Sequence, residues 1–201
     1  ADEIEPTQGV TPTGTLKDEK DIRSAWVGVS RIVSKRAILR FGLSYTYRDG
    51  FLTDPYKLND ERPDRRNEWV IQGGYRQFLV TPNAALHVDY RYFNDDWGID
   101  AHTVDIAWHQ NVGGRTAIIP FLRYHTQDEA DFFANSVDFS ERYYADDYRL
   151  SAYGAVILGL KLRHDIGNWR LNLAAERYQS NNEWGIYGGE ESPALVDFWR
   201  T

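Results

Sequence analysis

From residue 22 onward, apolar and polar residues alternate with a period of two over long stretches, and helical spacing is scarce. A period of two belongs to strands whose two faces meet different surroundings. The pattern predicts nine strands, over 22–33, 36–48, 68–80, 84–94, 101–111, 115–126, 147–164, 168–180 and 194–201. Several reach 11 residues or more. Ordinary globular strands run about 5–6 residues, whereas about 9–11 are needed to cross a bilayer. Residues 1–21 are rich in Pro, Gly, Thr and charge and read as a loop or tail. Pro120 has no N–H to give a ladder, so a bulge or local break is expected there.

The alternation has a direction. In 36–48, Leu39, Phe41, Leu43 and Tyr45 share one face while Arg40, Ser44, Thr46 and Arg48 share the other. In 84–94, Leu86, Val88, Tyr90 and Tyr92 oppose His87, Asp89 and Arg91. In 168–180, Trp169, Leu171 and Leu173 oppose Arg170, Asn172 and Glu176. The connections alternate too. Short ones fall at 34–35, 81–83, 112–114 and 165–167, and longer charged, aromatic ones at 49–67, 95–100, 127–146 and 181–193. Short turns at one end, long loops at the other and aromatics near the strand ends are the layout of an outer-membrane barrel. The expected fold is therefore all-β: an antiparallel transmembrane up-and-down β-barrel, with residues 22–201 supplying about nine strands of a larger, even-stranded whole. Phe41, Tyr45, Tyr90, Tyr92, Trp108 and Trp169 are assigned to lipid. The alternative is a soluble, secreted β-sandwich binding module, which also alternates but needs only short strands.

Composition narrows the function classes. Aromatics make up 14% of the 201 residues, with 13 Tyr and 7 Trp, as interfacial girdles require. A formal net charge of −7 argues against a nucleic-acid partner. With no Cys, disulfides, thiolate metal sites and catalytic thiols are excluded. The longest apolar run, "AVILGL" at 155–160, is far too short for a membrane helix.

Three sets of residues carry candidate chemistry. The first is a polar network facing the lumen: His87, Asp89, Arg91, Asp105, His109, Arg123 and His125. A register that sets Arg91 against Asp105 and His87 against His109 is expected, because cross-strand ion pairs favour it. Such a network fills or wets a lumen, or binds a metal or relays protons. The second is "NDDWGID". Asp95, Asp96 and Asp100 are weak calcium candidates, since the ligand count and spacing of an EF-hand are missing. A tight hairpin with Asx turns and a packed Trp97 is the plainer reading. The third is the pair of long loops, 48–68 and 127–149, which mix aromatics with both charges. They fold inward as a plug, dock a partner, or stay solvated.

The segment "DYRYFNDDWGIDAHT" also resembles the signature of an uncharacterised Gram-negative outer-membrane family, known as domain of unknown function 3570. "KDEKDIRSAWVGVSRIVSKR", "YRDGFLTDPYK", "ERPDRR", "FLRYHTQDEADFF", "YYADDYRLSAYGA" and "LAAERYQ" resemble it in the same order. The resemblance spans nearly the whole chain. It implies a transmembrane β-barrel in the bacterial outer membrane, and no activity. Family members begin earlier and end on an aromatic residue, so the chain reads as the C-terminal part of a larger barrel.

The expected function is an integral outer-membrane scaffold or anchor, or a narrow pore. Its expected partners are outer-membrane lipid and lipopolysaccharide, with a protein held by the lumen or the extracellular loops. No cofactor and no catalytic residue are assigned, and the chain is not expected to be an enzyme. The alternative within the membrane is a hydrolase with an acid/His site at the extracellular rim, drawn from Asp95, Asp96, His102 and His125. No GxSxG or HExxH motif supports it.

Overall fold

A computed structural model describes residues 2–4, 18–57, 59–190 and 192–201. The architecture is all-β and antiparallel. Eight long strands form its wall: β2 (Asp18–Ser34), β3 (Ala37–Gly50), β5 (Arg65–Leu79), β6 (Ala84–Asp95), β7 (Asp100–Val112), β8 (Thr116–Gln127), β10 (Tyr153–Ile166) and β11 (Trp169–Asn181). They run 12–17 residues each, longer than a bilayer crossing demands. Short β1 (Asp2–Ile4) and β12 (Phe198–Arg200) flank them, giving a ten-stranded sheet in which neighbours in sequence are neighbours in space. The sheet does not close on itself. A separate pair, β4 (Asp60–Glu61) with β9 (Tyr144–Ala145), joins two of the long loops.

Eight of the nine expected strands match an observed strand closely or within a few residues. The largest shift is in β10, which starts at Tyr153 rather than 147. The reason is local: Asp147 accepts a hydrogen bond from the Arg149 N–H and caps a 3-10 turn over Tyr148–Leu150. Only Phe198–Arg200 of the expected 194–201 strand is paired. The tail expected over 1–21 is corrected in part, because Asp2–Ile4 pairs with Asp18–Lys20 and extends the sheet. Residues 5–17 lie outside the described part. At Pro120 the β7–β8 ladder lapses between Ala107↔Phe121 and Gln110↔Ile118 without changing register. Proline thus breaks hydrogen bonding locally and makes no bulge.

Register fixes the two faces, because directly opposed residues point the same way and a strand alternates. One row crosses the sheet through Ser30, Arg40, Gly74, Asp89, Asp105 and Arg123. This polar face is built of such rows. The other face carries Val29, Phe41, Ile71, Ile106, Leu158 and Leu173, all exposed. Among the described residues no second sheet packs on it. The buried hydrophobic core lies elsewhere, at the long-loop end. Trp97, Ile99, Ala101, Ala130, Ala145 and Leu150 form it, with Leu52 and Phe93 packed alongside. Among the described residues no helix is long and apolar enough to cross a membrane, a statement that concerns helices alone.

Candidate functional site

The polar face comes first. His87, Asp89, Arg91, Asp105, His109, Arg123 and His125 all lie on it, as the alternation predicts. The expected register does not hold. It is displaced by two residues, so Asp89 opposes Asp105, Arg91 opposes Thr103 and His87 opposes Ala107. Two facing carboxylates are tolerable because each finds an arginine from a flanking strand. Arg76 meets Asp89 at 2.6 Å and Arg123 meets Asp105 at 2.6 Å. Arg123 is Asp105's direct cross-strand partner on β8, whereas Arg76 reaches past its own partner His87 to the diagonal Asp89. The His87 and His109 rings still touch on the diagonal, 4.0 Å between centroids. His125 binds Thr103 through Nδ1 at 2.9 Å.

The opposite face holds Phe41, Tyr45, Tyr90, Tyr92, Trp108 and Trp169. Several of its aromatics stand toward the strand ends, while Phe41 and Tyr90 share a row nearer the middle of the sheet. Near the long loops, the Tyr45 hydroxyl donates to Asn67 Oδ1 at 2.6 Å and the ring lies 4.7 Å from Trp69. Tyr90 shares a 2.7 Å hydrogen bond with His102 Nδ1, and Tyr124 donates to the Trp184 carbonyl at 2.6 Å. Near the short turns stand Trp108, whose Nε1 donates to Gln110, and Trp169. His102 therefore sits among tyrosines on the apolar face, while His125 is on the polar face.

"NDDWGID" is a hairpin held by its own carboxylates. Asp95 Oδ1 accepts the N–H groups of Trp97 and Ile99, each at 3.0 Å, an Asx turn with one further bond. Gly98 has φ +91°, a backbone state that favours glycine. Asp95 also receives Arg66, whose guanidinium lies 4.3 Å above the buried Trp97 ring. Asp96 accepts from the Asn67 backbone and side chain, and Asp100 from Tyr92 and Asn94. The three carboxylates point to three different partners. Among the described residues no three His, Asp or Glu side chains converge as a metal site would need.

Above that hairpin the two long loops lock together into a cap. Phe132 meets Trp97 edge-on at 5.2 Å, and β4 and β9 pair at Asp60↔Ala145. Beside them is an ionic latch. The wholly buried Asp147 accepts Arg62 at 2.9 Å and also binds Arg149, with Lys57 at 3.7 Å. Arg62 in turn holds Asp60 at 2.6 Å, and Arg149 reaches Asp54 at 2.6 Å. Burial alone would raise the Asp147 pKa, but hydrogen bonds from Arg149 and the charges of Arg149 and Lys57 prevail and hold it at about 2. The Asp147 hydrogen bond pushes the Arg149 guanidinium upward in return, against the opposing effect of its own desolvation. Sequence reasoning marked these loops as a possible plug but missed the latch. The available signal was the charged strings "ERPDRR" and "YYADDYR", whose partners are 85 residues apart.

A family model described as protein of unknown function (DUF3570) matches residues 3–198. No curated protein and no solved structure matches the chain.

Proposed function

The chain belongs to that DUF3570 family, and from this premise we propose that its sheet is part of the wall of an outer-membrane β-barrel with a capped mouth. The barrel serves as an integral scaffold that offers its loops or lumen to a protein partner. One observation carries the reading: the most apolar face of eight long strands is uncovered, while the protein's own core sits in the loops. In water such a face would demand a covering layer. In lipid it is the expected exterior, and hydrogen-bonded aromatics near the strand ends fit the two interfaces. Closure would come from further pairing at the β1 and β12 edges, which barrels do not leave open. On this reading the short turns are periplasmic and the capped end faces the outside and its lipopolysaccharide.

A narrow pore is the second reading, favoured by the hollows on the polar face. The rim hydrolase finds no support in the placement of its residues. His102 and His125 are on opposite faces, and Asp95 and Asp96 are engaged by backbone N–H groups. Nor does the soluble sandwich gain support, since nothing described covers the apolar face.

The test is extraction and gel migration of the protein from membranes. A heat-modifiable band that needs detergent is expected; full solubility without detergent overturns the proposal. Planar-bilayer recordings then divide scaffold from pore. The capped scaffold gives no steady conductance, and a steady step conductance selects the pore.

A further inference from the structure

The polar face contains two neighbouring hollows, and their linings are alike. The first, about 490 Å³, lies over β2, β3, β5, β6 and β7 and includes Trp26, Arg40, Gln72, Asp89, Arg91 and Asp105. The second, about 330 Å³, continues across β6 to β12 and includes His87, Phe121, Lys161, Glu176 and Arg200. Asp89 and Asp105 line both, so the hollows are contiguous. By register they descend diagonally, from the row of Trp26 near the loops toward that of Lys161 nearer the turns.

Each hollow has one aromatic wall lying over glycine. A Cβ on Gly28 would sit 2.4 Å from the Trp26 ring, and one on Gly42 would sit 3.2 Å from its Nε1. A Cβ on Gly159 would sit 2.2 Å from Phe121. Glycine at these places lets the rings lie down on the sheet. Trp26 is nonetheless 66% exposed, on the face that carries the charged rows. Its indole has found a floor and no cover. Arg91 stands across the first hollow; its guanidinium lies 5.3 Å from the Phe93 ring and feels the charge of Glu68.

Counted once each, the linings of the joined hollows hold five cations, Arg40, Arg91, Arg123, Lys161 and Arg200, and three carboxylates, Asp89, Asp105 and Glu176. Each carboxylate has an arginine partner, and donors and acceptors lie side by side along the track. A ligand with flat apolar faces and a rim of hydroxyls matches this, because each hydroxyl both donates and accepts. We propose that the two hollows form a binding track for an oligosaccharide, with Trp26 stacking on a sugar ring, Phe121 and the Lys161 ammonium 4.7 Å above its ring walling the second hollow, and Arg91, Gln72, Asp89 and Asp105 reading hydroxyls. The assignment rests on the polar face being the lumen.

The test is calorimetric titration of the detergent-solubilised full chain, first shown to be heat-modifiable, with maltohexaose, cellohexaose and chitohexaose. At least one should bind with a Kd on the order of 1 mM. Trp26→Ala should weaken it about tenfold, the loss of one stacking contact, and Phe121→Ala, which removes the wall under Lys161, should weaken it as well, while Trp169→Ala on the other face leaves it unchanged. Gly28→Val, which drives a side chain into the Trp26 ring, should act like Trp26→Ala. Silence from all three sugars in heat-modifiable protein overturns the track and leaves the barrel standing. So does binding that survives both aromatic deletions. Absence of heat modification instead sinks the barrel reading itself.

Discussion

The wall and the cap solve opposite problems with the same residue types. In the wall, Val29, Leu43 and Leu158 point away from all other described protein, and charges line the inner rows. In the cap, Trp97, Leu150 and Ala145 are packed inside, and a carboxylate, Asp147, is buried among cations. A protein in a single solvent would not sort its apolar residues both ways. The cap is sorted as water requires; the wall is sorted as the proposed bilayer would require.

The contrast can be broken at several points. The largest effect is expected from Asp147→Ala, which leaves Arg62, Arg149 and Lys57 without their shared anion. Breaking a buried pair costs about 3–5 kcal/mol. Limited trypsin digestion should open the 128–152 loop while the heat-modifiable wall persists; loss of both together would mean that cap and wall are one unit. Next comes Leu43→Arg on the exposed apolar face, expected to cost about 2–4 kcal/mol in lipid bilayers. Its neighbour on the polar face, Thr46→Lys, stands opposite Glu68 and should stay within about 0.5 kcal/mol. Equal tolerance at both positions, read by denaturant unfolding in vesicles, contradicts the lipid-facing assignment.

Acid reads the cap through Asp147. The Asp147 pKa is depressed on folding, so its contribution is complete above about pH 4 and fades as pH falls toward about 2. Trypsin is inactive there, so pepsin susceptibility of the loop between pH 4 and pH 2 is the readout. It should rise steeply across that window and lose the dependence in Asp147→Asn. A small effect also belongs to Arg123→Gln. Its partner Asp105 is on the wall and the arginine is half exposed, so the change should fall within about 1 kcal/mol.

The wall was largely legible because period-2 alternation carries strand, face and end at once. The misplaced β6–β7 register did no harm to the face assignment, since a slip of two residues preserves the pleat. It failed because Asp105 takes its arginine from β8 instead of β6. Residues 147–152 imitate a strand in sequence, yet Asp147 turns the chain. In "SAWVGVS" alternation already sets Trp26 with Ser24, Gly28 and Ser30; what it lacks is Gly42, the second glycine under the indole, which only the β2–β3 register supplies. The latch was beyond reach because its members meet only in three dimensions.

The β4–β9 pairing also sets an order of events. The wall can zip up hairpin by hairpin, each closure spanning few residues and costing little chain entropy. Asp60 cannot meet Ala145 until the four strands between them, β5 to β8, are laid down in sequence. The latch is thus the late, long-range contact of assembly, and its closure records that the intervening wall is complete.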